Sequence, residues 1–379
     1  MSDIQTLGPD SGQPVPPSEP KFAELARGDL APLFTARGGG LEKFLFDSIA
    51  GRYLVLCFYA STSDAQGRAA VDAMQRNRDL FDDDYASFFG VCLDPADEAQ
   101  SKVRESMPGV RFFWDFDAAV SRLYGAVSAT EEDKPSHLRR FWIVVDPTLR
   151  ILAKIPFDPR DPEHGQVFST LKSLPHPSNY AGFEIPAPVL IIPHVFEPEL
   201  CKRLIGIYDE QGGGESGVMR MVDGVVQGVL DNSFKRRKDV TIEDGQLRLL
   251  LQKRIHDRVL PQIEKLFFMK ITRMERYIVG CYAAEDGGHF RPHRDNNTAI
   301  TAHRRYAVSI NLNGDFKGGE VSFPEYNRSG YKAPPGWAVI FPCAILHSVS
   351  RVSEGKRYAF LPFVYDESGR AIRDRNQTG

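Results

Sequence analysis

A stretch without a period, PHPSNYAGFEIPAP at residues 175–188, separates two halves with different hydrophobic patterns. Before it, short apolar runs alternate with helical segments. YLVLCFYA, ASFFGVCLD and RRFWIVVDP have few polar residues and read as strands buried on both faces. Between the first two, DAQGRAAVDAMQRNRDLF places Ala70, Met74 and Phe81 at helical intervals. RFFWDFDAAVSRLYGAV carries a helix whose end is marked by Tyr124-Gly125, and QVFSTLKSL reads as a closing helix. Strand, helix, strand, helix, strand predicts an α/β layer on a partly parallel sheet.

The second half opens with helices. Leu200, Leu204 and Tyr208 line one face of a helix begun at Glu199 and stopped by Gly212, Gly213 and Gly214. Leu247, Leu251, Ile255, Val259 and Ile263 repeat every four residues, with Pro261 as a kink. From Ile271 onward, short strand-like runs are punctuated by Asp286-Gly287-Gly288, Asn313-Gly314, Gly318-Gly319, Pro335-Gly336 and Glu354-Gly355. That rhythm suits an antiparallel sandwich or jelly roll. The expected class is therefore α+β with two domains. Its expected divisions are a disordered tail over 1–20, a domain over 21–176, a linker over 177–183, a second domain over 184–367 and a tail over 368–379.

A chain of 379 residues is long enough for two cores. Lys and Arg number 47 against 50 Asp and Glu, a net charge of -3 that offers no global attraction to nucleic acid or anionic membrane. No stretch approaches the roughly 18 apolar residues of a membrane span. The N-terminal MSDIQTLGPDSGQPVPPSEP lacks the basic and apolar regions of a signal peptide. Cys57, Cys92, Cys201, Cys281 and Cys343 are odd in number and form no C-x-x-C pair. A reducing cytoplasm is the expected location.

The segment GGHFRPHRDN carries His293 and Asp295. Two residues apart in a strand, an imidazole and a carboxylate point to one face and can converge on an ion. By itself the tripeptide says little, because such pairs arise by chance. His347 in AILHSVS is the natural third ligand. Two histidines and one carboxylate leave coordination positions open, the pattern of non-haem Fe(II) oxygenases rather than of closed structural zinc. After His347 the chain alternates, turns at Gly355 and returns Arg357 in the next strand. A fixed guanidinium there suits the distal carboxylate of a dicarboxylate cosubstrate.

The stretch from Tyr277 to Tyr365 resembles the prolyl 4-hydroxylase-like branch of the Fe(II)/2-oxoglutarate dioxygenases. The matching text is RYIVGCYAAEDGGHFRPHRD, then GGEVSFPEY, then PPGWAVIFPCAILHSVSRVSEGKRYAFLPF. The resemblance implies a double-stranded β-helix with supporting helices over 184–367. It implies His293, Asp295 and His347 as iron ligands, and Arg357 on the distal carboxylate of 2-oxoglutarate. Tyr282 and Asn311 fall where relatives contact the cosubstrate. It implies hydroxylation at an unactivated C–H with O2, yielding succinate and CO2, and it brings in L-ascorbate as a candidate auxiliary cofactor. The retained Asp295 argues against a halogenase.

Residues 21–176 resemble the thioredoxin-like fold in its peroxiredoxin form, through LVLCFYA, FGVCLDP, FWDFDAAVSRLYG and RRFWIVVDP. The position of the peroxidatic cysteine falls on Gly67, and no cysteine lies between Cys57 and Cys92. Without a thiolate the expected domain is redox-inactive and serves binding: homodimerisation, substrate docking or placement of the oxygenase.

Other residues are weighed as bystanders. His289 shares strand parity with His293, but a supporting or solvent-facing role is the expectation. His303 is expected to be exposed, and Phe290, Trp337 and Phe341 to pack the sandwich. The basic run FKRRKD around Arg236 and Arg237 reads as a solvated loop or a contact for an acidic substrate. The expected partner is a peptidyl or free amino-acid substrate, proline-like first. A small biosynthetic metabolite and an oxygen- or redox-sensing interaction protein are the alternatives. Specificity is expected from 212–238, 283–288 and 296–303.

Overall fold

The computed structural model describes residues 21–130, 137–222 and 225–377. The tail expected over 1–20 lies outside them. The chain packs as two units. One comprises the residues up to Phe44 with Leu54–Val145 and Arg150–Ser173. The other comprises Leu45–Tyr53, Asp146–Leu149 and everything from Leu174.

The first unit is built on a seven-stranded sheet in the order Leu41–Leu45, Thr35–Gly38, Val110–Trp114, Ala86–Cys92, Tyr53–Ala60, Phe141–Val145, Ile151–Pro156. Every residue of Tyr53–Ala60 and Ala86–Cys92 is buried, as their unbroken apolar runs require. Ala86–Cys92 pairs parallel with Val110–Trp114, whereas Tyr53–Ala60 pairs antiparallel with Phe141–Val145. RFFW thus belongs to a strand. Only Ala119–Tyr124 is helical, and it ends at Gly125, whose φ is +74°. Three aromatics in the five residues of Val110–Trp114 favour the pleated sheet over a helix there.

Helix Ala65–Arg76 begins where Asp64 accepts a hydrogen bond from the Gly67 amide at 2.9 Å. A Cβ added at Gly67 would lie 1.9 Å from Ser61 O. The position that the resemblance assigns to a peroxidatic cysteine therefore has no room for any side chain. Cys57 and Cys92 are buried in strands. Burial pushes the Cys57 thiol well up and Cys92 to about 12.

Beside a two-stranded antiparallel sheet of Val218–Val222 and Val225–Val229, the second unit has two larger sheets, antiparallel in the pairings that position the site. The smaller runs Lys235–Arg236, His289–His293, His347–Val349, Val321–Ser322, Gly330–Tyr331. The larger runs Arg273–Glu275, Phe363–Tyr365, Tyr306–Asn311, Lys356–Phe360, Ile278–Ala283, Lys238–Thr241, Gly214–Glu215. Helices Pro198–Gln211, Gly245–Arg258 and Leu260–Phe267 join the larger sheet in one core, where Leu200, Leu204, Leu251 and Ile263 meet Val279, Ile310 and Phe360. The four-residue apolar repeat is interrupted at Val259, between two helices, and Pro261 opens the second.

The stretch 368–379, expected to be a tail, is largely a helix, Glu367–Gln377. Thr272 Oγ1 donates to Glu367 Oε1 at 2.7 Å and Arg373 Nη1 to Tyr365 OH at 2.6 Å. Polar contacts hold this helix, and ESGRAIRDRNQ has no apolar stripe to announce it. Among the described residues no helix is long and apolar enough to cross a membrane.

Candidate metal centre

Strand His289–His293 pairs antiparallel with His347–Val349, and His293 and His347 are direct partners. The pairing slips between Phe290 and His293. This bulge turns Phe290, not His289, onto the face of His293, and their rings stack with centroids 3.5 Å apart. The parity expected for His289 is thereby broken. Its two ring nitrogens lie 2.8 Å from Gly287 O and 3.3 Å from Ser233 O instead. Asp295 lies past the end of the strand, so pleat parity does not orient it. Its amide donates to Cys343 O at 3.0 Å.

One ligand atom from each of His293, Asp295 and His347 lies within 4.8 Å of the others. His293 Nε2 is 3.6 Å from Asp295 Oδ1, and His347 Nε2 is 3.2 Å from Asp295 Oδ2. The other nitrogens face carbonyls: His293 Nδ1 donates to Arg291 O at 2.8 Å and His347 Nδ1 to Ile345 O at 3.1 Å. A carbonyl only accepts, so each Nδ1 carries a proton, and each Nε2 is the ring atom turned toward the cluster. Burial, then the neighbouring His347, pushes His293 down to about 4, which leaves it neutral and ready to ligate. Burial would raise Asp295, but His347 and His293 outweigh it and hold the carboxyl well below its ordinary value. The donor set fits a hard or borderline dication with open positions, and no thiolate joins it among the described residues.

Arg357 is 2% exposed. Its Nε donates to Asn311 Oδ1 at 2.9 Å and its Nη2 to Ser309 Oγ at 2.8 Å. Asn311 is fixed in turn by donating to Ala333 O at 2.7 Å. Tyr282, the cross-strand partner of Arg357, lays its ring 5.3 Å from the guanidinium carbon. Among the described residues no carboxylate pairs with Arg357. A buried guanidinium with neutral partners on one edge lacks the anion that its burial calls for. A carboxylate matches this guanidinium in charge and in fork geometry.

Residues 277–365 match the family described as the 2OG-Fe(II) oxygenase superfamily, and this stretch contains the three clustered residues and Arg357. Residues 277–365 are a 2OG-Fe(II) oxygenase domain. The family implies Fe(II) and 2-oxoglutarate. Residues 27–152 match the AhpC/TSA family, which makes the N-terminal domain thioredoxin-like. PKHD-type hydroxylases of two Synechococcus strains are 27% identical over 126 residues, 30% of this chain and 55% of each relative. The chain thus spans about half the length of these curated relatives. A prolyl hydroxylase from Trichoplax adhaerens, solved with a hypoxia inducible factor peptide, is 18% identical at a TM-score of 0.37, covering 48% of this chain and 86% of its own. A Pseudomonas putida prolyl-4-hydroxylase is 13% identical at 0.36, covering 47% and 92%.

In the oxygenase domain several residues emerge that sequence reasoning passed over. Glu325 Oε1 accepts from Arg294 Nη2 at 2.6 Å, and its Oε2 accepts from the Leu346 amide at 2.6 Å. One carboxylate therefore ties the neighbour of His293 and Asp295 to the neighbour of His347. The PEY of GGEVSFPEY was its only trace in the sequence. The basic run is no solvated loop: Lys235 and Arg237 are buried, while Arg236 is exposed. Alternation along a strand explains this, and the charges masked it. His303, expected at the surface, is 3% exposed, with its Nε2 3.0 Å from Glu275 Oε2. Phe341 is buried and Trp337 half-buried, both in the cluster beside the smaller sheet.

Proposed function

We propose that this chain is an Fe(II)- and 2-oxoglutarate-dependent dioxygenase that hydroxylates an unactivated C–H bond, with release of succinate and CO2. The observation that carries this reading is the pairing of a two-histidine, one-carboxylate cluster with a buried Arg357 that has no carboxylate partner among the described residues. His293, Asp295 and His347 would hold the ion. With 2-oxoglutarate and O2, iron supplies the oxidising power that side chains lack. The chain's own work is binding and exclusion of water. Arg357, oriented by Asn311 and Ser309, receives the distal carboxylate. Tyr282 walls that pocket, with its hydroxyl accepting from Arg237 Nη1 at 3.3 Å. Phe290 covers the face of His293 and fixes its ring plane.

The substrate we favour is a peptidyl or free amino-acid residue, proline-like first. The hydroxylase name borne by the Synechococcus relatives supports oxygen insertion. L-Ascorbate is the proposed auxiliary reductant. The N-terminal domain, with its thiols buried and Gly67 closed to a side chain, is proposed as a docking or homodimerising module. The test is CO2 release from 2-oxoglutarate labelled at its 1-carboxylate. Release should require Fe(II) and O2 and stop on chelation. Release that persists in excess chelator would contradict the reading.

A further inference from the structure

The second unit holds more cations than its candidate metal centre accounts for. Lys235 is cross-strand partner to Phe290, and its ammonium lies 5.0 Å from the centre of that ring. Phe290 in turn stacks on His293, so the ammonium sits one ring away from a candidate ion ligand. Lys235 is 5% exposed, and its Nζ donates only to neutral oxygens, Ser216 Oγ at 2.7 Å and Gly217 O at 2.9 Å. Among the described residues no carboxylate lies within ion-pair distance of it.

An acid that shares Ser216 with Lys235 is already engaged. Asp239 takes a two-pronged contact from Arg237, at 2.6 Å to Nε and 2.7 Å to Nη2, and a hydrogen bond from Ser216 Oγ at 2.5 Å. The half-buried Arg276 reaches the same carboxylate only at 3.5 Å. Arg276 and Lys235 converge through that carboxylate, because Ser216, which donates to Asp239, also accepts from Lys235, and Asp295 acts electrostatically on both cations. Burial first, and Arg237 second, pushes Lys235 down to about 6 and Arg276 to about 10. Lys235, Arg237 and Arg276 thus share Asp239 as the acid that acts on all three, with Asp295 acting also on Lys235 and Arg276. An iron dication and a 2-oxoglutarate dianion add equal and opposite charge, so loading the centre leaves this imbalance in place.

We propose that the substrate carries a carboxylate, and that Lys235 and Arg276 receive it beside the ion-holding residues. This deepens the oxygenase reading and rests on it. Burial favours the neutral amine at Lys235, and a substrate carboxylate beside it would restore the ammonium and make a charge-assisted contact. Two sources offer the same chemistry: the α-carboxylate of a free amino acid, and an acidic side chain within a peptide.

The test uses the full chain with Fe(II) and 2-oxoglutarate and reads succinate formed above the substrate-free background. The probes are free L-amino acids and their carboxamides, and dipeptides capped at both ends that contain Asp or Glu, with Asn and Gln counterparts. Acids should stimulate turnover and their uncharged counterparts should not. Stimulation by the free amino acids assigns the α-carboxylate, and stimulation by the capped dipeptides assigns the side chain. Lys235→Met should raise the half-saturating concentration of the stimulating acid about 10- to 100-fold, with recovery in Lys235→Arg. Arg276→Met provides an independent variant should Lys235→Met fail to fold. Equal stimulation by acids and amides overturns the proposal, as does no stimulation by any acid with background turnover intact. A rise in KM for 2-oxoglutarate instead of for the acid assigns these cations to the cosubstrate and overturns it too. Absence of background turnover removes the oxygenase reading, and this inference with it.

Discussion

His293 and His347 are direct partners across two antiparallel strands, with ring centroids 4.2 Å apart and both Nδ1 protons given to backbone carbonyls. The sheet itself therefore sets the spacing of two ligands, and little side-chain rearrangement is needed to close on an ion. Replacing either histidine by alanine should leave at most weak binding of Fe(II), at least about 100-fold below wild type. Titration calorimetry with Fe(II) under anaerobic conditions checks this. Wild-type affinity in either variant would remove that residue from the centre.

Arg357 makes a two-sided prediction. Arg357→Met should raise the KM for 2-oxoglutarate about 10- to 100-fold, the worth of a charge-assisted pair. It should change the melting temperature of the ligand-free protein little, because loss of a buried charge with no carboxylate partner among the described residues offsets the loss of a donor to Asn311 Oδ1 and Ser309 Oγ. Thermal melts with and without 2-oxoglutarate give both answers. A stabilising shift in the variant equal to that of wild type would contradict the assignment.

Glu325 holds the neighbours of all three clustered residues without touching an ion ligand. Glu325→Ala should weaken metal affinity about 10- to 100-fold, as loss of a supporting contact does. Glu325→Gln keeps the acceptor for the Leu346 amide and should recover part of that loss. Metal titrations of the two variants check the ordering.

Hydrophobic rhythm and turn residues made much of the fold legible. The helices Pro198–Gln211 and Gly245–Arg258 and the buried strand Tyr53–Ala60 bury the residues that periodicity selects. What escaped was held by polar contacts or by local irregularity. Helix Glu367–Gln377 has no apolar stripe, and a bulge exchanges the faces expected for His289 and Phe290. The candidate site was legible where one residue type has one use, as with His293, Asp295, His347 and Arg357. It was not legible at Lys235 and Glu325. A charge in a basic run or beside a proline reads as solvated until tertiary packing buries it.

The thioredoxin-like domain should show no peroxidase turnover with a thiol reductant. All five cysteines are buried, and none stands at Gly67. A thiol reagent should label none of them rapidly in the native protein and all of them after denaturation. Rapid native labelling of Cys57 or Cys92, or robust peroxide consumption, would contradict a redox-inactive domain.

The most direct test of the iron and 2-oxoglutarate account compares succinate formation by wild type and Asp295→Ala at saturating Fe(II), 2-oxoglutarate and O2. Asp295 supplies both of its oxygens to the cluster, one near each histidine. The account predicts Fe(II)-dependent succinate from wild type and none above background from Asp295→Ala. Undiminished succinate from the variant would contradict it.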